Sequence, residues 1–148
     1  MFSSAMKRAV GVATLTTLTV AGCSTQPKIA PGASPVNIVE QDFKVMAPAT
    51  VPAGKVTFVV HGSGPTMHEF NVAWTDLPIS ALPVTDSGVL DDEQDTAHFH
   101  HLGEIEGIDI GGVKTLTVTL GPNQRFVLYC NMDGHFMAHM ATIVQSGS

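Results

Sequence analysis

The sequence predicts an all-β domain built as a sandwich of two sheets. Three observations carry this expectation. Apolar and polar residues alternate over short runs, glycine and proline punctuate the gaps between them, and 148 residues amount to a single domain. Short strands separated by turns fit a sandwich better than a βαβ fold.

The first strand is expected from Val36 to Val45, with Ile38 and Phe43 turned to the core. Pro48, Pro52 and Gly54 then mark a turn. Residues Lys55 to Val60 alternate, placing Val56, Phe58 and Val60 on one face. After Gly64-Pro65 a further short strand is expected over Glu69 to Trp74. The clearest strand is Thr115 to Leu120, where threonine at 115, 117 and 119 alternates with Leu116, Val118 and Leu120. Gly121-Pro122-Asn123 turns the chain, Phe126 to Cys130 runs back, and Ala141 to Gln145 closes the sheet. Residues 75–112 fit this pattern poorly. They hold an acidic run (Asp91, Asp92, Glu93, Asp95) and three histidines (His98, His100, His101), and read as a long excursion containing at most a helical turn. No internal repeat is present.

Hydrophobic residues make up 44% of the chain and charged residues 14%, too few charges for a disordered segment or a nucleic-acid binder. The formal charge of −6 likewise argues against a phosphate backbone as partner.

Residues 1–22 read as an export leader. Lys7 and Arg8 precede the uncharged stretch Ala9 to Val20, which is shorter than the roughly 20 apolar residues that span a bilayer. Val20-Ala21-Gly22-Cys23 resembles a bacterial lipobox, which implies cleavage before Cys23 and lipid attachment there. Residues 23–35, with prolines at 27, 31 and 35, suit a flexible tether, and 36–148 form the domain. Without residues 1–22 the chain has five Lys and Arg against thirteen acids, a formal charge of −8. If Cys23 carries lipid, Cys130 is the one thiol of the domain, so it is buried, reactive or bound to something.

The hairpin Tyr129-Cys130-Asn131-Met132-Asp133-Gly134-His135-Phe136-Met137-Ala138-His139-Met140 contains Cys-x4-His-x4-Met. A thiolate, an imidazole and a thioether from one loop suit copper, because soft sulfur favours Cu(I) and imidazole serves both oxidation states. Two histidines and one cysteine with a weak axial methionine make a blue-copper site, and His68 can supply the second imidazole. Cys130 shares strand parity with Phe126 and Leu128, so its sulfur is expected to point into the core.

His68-Glu69-Phe70, Tyr129-Cys130-Asn131, Gly134-His135 and Met140 together resemble the cupredoxins, the type 1 copper proteins. The resemblance spans roughly Val36 to Gln145 and implies a Greek-key sandwich with one copper ion held by His68, Cys130 and His135 and an axial Met140. It implies a monomeric one-electron carrier, rather than an enzyme, that serves redox protein partners and is tethered by lipid outside the cytoplasm, on the cell membrane or in the periplasm. The acidic surface suits a basic docking face on the partner. The family often has asparagine after the first histidine, tying two loops together, where this chain has Glu69. His139 competes with Met140 as fourth ligand, and Met132 and Met137 fit the spacing less well. Pro65, Met67, Phe136 and Met137 are expected to rim His135 as an electron port. His98, His100 and His101 are read as a solvated loop, with a second metal site as the alternative reading. Two other functions fit the same residues: copper storage or transfer, and an accessory copper domain of an oxidase complex.

Overall fold

A computed structural model describes residues 26–148 apart from Gln94. The proposed leader, Cys23 and the first residues of the tether lie outside the described residues. Among the described residues nine strands form two sheets: β1 (Ser34–Gln41), β2 (Lys44–Met46), β3 (Thr50–Val51), β4 (Gly54–Gly62), β5 (His68–Thr75), β6 (Phe99–Ile108), β7 (Val113–Leu120), β8 (Arg125–Tyr129) and β9 (Ala141–Ser146). One sheet has the order β2-β1-β4-β7 and the other β3-β9-β8-β5-β6. The chain passes repeatedly from one sheet to the other, so strands distant in sequence become neighbours. Two of the pairings, β1 with β4 and β3 with β9, are parallel.

The inner faces follow the alternation in the sequence. Val36 and Ile38 on β1, and Val56, Phe58 and Val60 on β4, are buried between the sheets against Phe70 and Val72 of β5. Fully burying side chains of this size contributes about 1.5–3 kcal/mol each. Thr57 and Val59 are buried as well, on the other face of β4. Thr57 Oγ1 lies 2.7 Å from Thr117 Oγ1 and accepts the Ala30 N–H at 3.3 Å. Ser34 and Pro35, which the sequence suggests belong to the tether, already pair with Val56 and Thr57.

Two expectations need correction. Val36 to Val45 is not one strand: β1 and β2 form a hairpin that turns at Asp42-Phe43, with Gln41 opposite Lys44. Phe43 sits in that turn at φ 61 and is 54% exposed rather than in the core. A turn position at this φ favours glycine or asparagine, so the phenylalanine found there does not announce it.

The second correction concerns the excursion, which spans residues 76–98 rather than 75–112. It contains one 3-10 turn at Ile79–Ala81, and β6 follows as a ten-residue strand on the edge of the larger sheet. Only Phe99, Ile105 and Ile108 of β6 are buried, and two register shifts interrupt its pairing with β5. Those shifts break the period of two that identifies a strand in sequence. The excursion folds over the outer face of the larger sheet, where Leu82, Leu90 and Phe99 pack on Ala73, Val127 and Tyr129 as a second core.

Candidate metal centre

His68 opens β5 on the same face as Phe70 and Val72 and is wholly buried. Neither of its ring nitrogens has a hydrogen-bond partner, although Asp42 Oδ1 approaches Nε2 to 3.4 Å. Burial, followed by the charge of His135, lowers its pKa and favours the neutral ring that a metal needs.

Cys130 follows β8, fully buried, with Phe126 and Leu128 in the core between the sheets. Its neighbours Val127 and Tyr129 point the other way, into the second core. The thiol accepts the Glu69 N–H at 3.3 Å and lies 3.3 Å from His135 Nδ1. Burial pushes its pKa up to about 11, against the opposing effect of the Glu69 and Met132 N–H groups. A buried thiolate therefore needs a positive charge beside it, and a metal ion supplies one.

His135 sits half-buried in the turn that follows, its ring centroid 5.5 Å from that of His68. Ligand atoms of His68, Cys130 and His135 all lie within 4.8 Å of one another. Two ligands bound at about 2.0–2.3 Å lie no more than about 4.6 Å apart, so the three stand at close to the spacing of a single ion of zinc or copper size. The unpartnered imidazole and the costly thiol are what such an ion would satisfy.

The loop that carries these ligands is closed by its own backbone. The Cys130 N–H donates to Met140 O at 3.0 Å, Met140 N–H to His135 O at 3.0 Å, and His135 N–H to Met132 O at 2.9 Å. Met140 is fully buried in the same core as Cys130, whereas His139 is exposed at φ 71 and lines a surface groove with Ile79, Leu82 and Val84. Met132 is half-buried and packs against the inner core, and Met137 is 58% exposed.

Of the four residues expected to rim His135, three are exposed and one is buried. Pro65, Met67 and Met137 are exposed, but Phe136 is buried in the second core, its ring 6.0 Å from that of Tyr129. Phe43, which the sequence assigns to the core, stands beside His135 instead.

The three later histidines do not gather. His98 Nδ1 lies 3.0 Å from Asp76, His100 Nδ1 lies 3.4 Å from Asp95 with its ring tilted against Trp74 at 5.3 Å between centroids, and His101 is half-buried. Among the described residues the one histidine-cysteine-carboxylate group of ligand spacing is His68, Cys130 and His135.

A brace that the sequence does not announce holds the ligand loop from outside. Asn131, next to Cys130, accepts the Leu90 N–H at 2.7 Å and donates to Leu90 O at 3.1 Å and to Asp92 Oδ2 at 3.0 Å. Tyr129 donates its hydroxyl to the same Asp92 oxygen at 2.8 Å. The tie between the two ligand-bearing segments is made by the backbone N–H of Glu69, so the side chain at position 69 is not required for it.

Comparison with known proteins agrees with this architecture. No protein-family model matches the chain, and no curated protein matches it in sequence. Among solved structures, auracyanin from the photosynthetic bacterium Roseiflexus castenholzii aligns with a TM-score of 0.57 at 17% identity, over 79% of this chain and 100% of that one. Auracyanin B aligns at 0.55 and 12% identity, covering 82% of this chain and 93% of its own. An azurin from Methylomonas sp. strain J aligns at 0.55 and 10% identity, covering 77% and 98%.

This is the cupredoxin fold. In that cupredoxin sandwich the three candidate ligand residues come together where the first residue of β5 meets the loop between β8 and β9.

Proposed function

We propose that the chain is a type 1 copper protein that carries one electron at a time between redox partners outside the cytoplasm. The observation that carries this reading is the buried cluster of His68, Cys130 and His135, with Met140 buried beside it. Imidazole and thiolate donors with a thioether nearby suit copper above other metals of this size. When bound, copper supplies a reversible one-electron change between Cu(I) and Cu(II).

The chain's own residues supply the rest. His68 and Cys130 hold their donor atoms away from water; β5 carries His68, and the backbone bonds of the 130–141 loop hold Cys130 and His135. A preset cage changes little between oxidation states, which keeps the cost of reorganisation low. His135 is the most exposed of the three donors, so it offers the route to a partner. Exposed Phe43, Met67 and Met137 supply apolar surface for docking. The excess of acids suits a partner with a basic face, and salt should weaken that encounter. The lipobox-like Cys23 and the proline-containing segment after it support tethering to a membrane.

Copper storage or transfer is a second reading, favoured by the exposed thioethers of Met67 and Met137. One experiment separates the two. The protein is loaded with Cu(II), and its visible and electron paramagnetic resonance spectra are recorded beside a Cys130→Ser variant. An intense blue or green band with narrow copper hyperfine splitting, lost in the variant, supports the carrier. A pale protein indifferent to Cys130 supports storage or transfer.

A further inference from the structure

The outer face of the larger sheet carries a second group of side chains, composed only of oxygen donors and one amide. Asn71 on β5 lies directly opposite Glu104 of β6 on one side and Tyr129 of β8 on the other, so all three share that face. Glu69 lies two residues before Asn71, on the same face. Tyr129 reaches Asp92, which brings the acidic end of the excursion to the group.

Asn71 is only 1% exposed, yet neither its Oδ1 nor its Nδ2 has a hydrogen-bond partner. Buried amides are nearly always paired, so this one marks a place where a partner belongs. The charged side chains of the group itself are all acidic, and Lys114 donates to the Glu106 carbonyl at 2.7 Å rather than to a carboxylate. The Glu69 carboxyl is held above its ordinary range by burial and then by Glu106, Glu104, Asp92 and Asp133. Among the described residues, no Lys or Arg forms an ion pair with any carboxylate; all three ion pairs use histidine. Asp92 takes both of its hydrogen bonds on Oδ2.

We propose that Asn71, Glu69, Glu104 and Asp92 form a binding site for one hard divalent cation of the calcium type. Carboxylates and a carboxamide oxygen are the donors such ions take, and flexible acidic side chains suit calcium's loose geometry. The site is chemically separate from the sulfur-containing cluster, whose soft donors calcium does not take. No three of these carboxylates lie within 4.8 Å of one another. Binding therefore draws in half-buried Glu69 and exposed Glu104 towards Asn71 Oδ1, and leaves Asn71 Nδ2 a carboxylate to bond. A cation held there would join β5, β6 and the excursion.

The test uses the full chain freed of divalent cations by chelation. Tb3+ is titrated in and its luminescence read with excitation through Tyr129, the one tyrosine of the chain. The expected result is saturable emission from one site that Ca2+ displaces, with affinity about tenfold or more lower in Glu69→Gln and Glu104→Gln. Glu93→Gln, in the same acidic run but outside the group, leaves it unchanged. Asn71→Asp provides a check that survives misfolding: its melting temperature falls without Ca2+ and recovers with it. Emission that does not saturate, or that is the same in the Glu104→Gln and Glu93→Gln variants, overturns the proposal. Binding of polylysine that depends on Glu104, without one-site binding of Ca2+, also overturns it and marks the face as a docking surface for a basic protein.

Discussion

The ring of Phe43 stands edge-on to the imidazole of His135, with centroids 5.6 Å apart and planes at 79°. The contact joins the β1–β2 turn to the ligand loop, two segments more than ninety residues apart in sequence. Phe43 holds this place at φ 61, a conformation that costs a non-glycine residue about 1–3 kcal/mol. Phe43→Asn relieves the strain and removes the ring. Its melting temperature should therefore hold or rise, while copper loss to an added chelator becomes faster. An unchanged rate of copper loss would show that the ring does not shield His135.

Met140 and His139 make opposite predictions as the fourth ligand. Met140 is buried in the core with Cys130, and His139 is exposed with φ 71. His139→Gly should leave the copper spectra unchanged and raise stability by relaxing the backbone. Met140→Leu keeps the volume and removes the sulfur, so it should shift the spectra and the reduction potential. The reverse outcome would move the fourth ligand to His139.

Asn131 carries more of the loop's stability than its half-buried position suggests. Asn131→Ala leaves the N–H and C=O of Leu90, a residue 1% exposed, without their partners. The expected loss is about 2–4 kcal/mol in denaturant unfolding. Asp92→Ala should cost less, and the two losses should not add, because the Asn131–Asp92 bond is counted in both. Strictly additive losses would mean that the two residues act apart.

Glu40 makes stability depend on pH. It follows Val36 and Ile38 on the inner face of β1, is wholly buried, and neither carboxyl oxygen has a partner. Burial, reinforced by the charge of Glu69, pushes its pKa up to about 9 from 4.5. Between those values the folded chain holds a proton that the unfolded chain has released. Stability from this group is complete below pH 4.5 and is lost as pH rises towards 9, at up to about 1.4 kcal/mol per pH unit. Glu40→Gln cannot ionise, so it should melt at a higher temperature than the parent at pH 8 and match it near pH 4. Equal melting temperatures at both pH values would place an unseen partner on the carboxylate.

What the sequence reveals, and what it hides, follows from how far each feature depends on local pattern. The alternation in 115–120 is legible because one face of β7 looks to the core and the other to solvent. The position of Cys130 is legible for the same reason, since parity with Phe126 and Leu128 settles which way it points. β6 is hidden because its glycines and register shifts destroy the alternation. Phe43 and Phe136 exchange their expected places because tight turns, unlike strands, do not keep a side-chain period. Glu40 and Asn71 are invisible in sequence, where an acid and an amide within strands read as solvent-facing residues. Only the sheet register shows that they are covered.

The parallel pairing of β3 with β9 joins Thr50 and Val51 to Gln145 and Ser146. The loop between β8 and β9 is anchored at its far end by that last strand, because Met140, whose carbonyl closes on Cys130, leads directly into it. A chain cut by a protease at β9 keeps all three donors but loses the strand that anchors their loop. Such a cut copy should therefore be a poor competitor for copper.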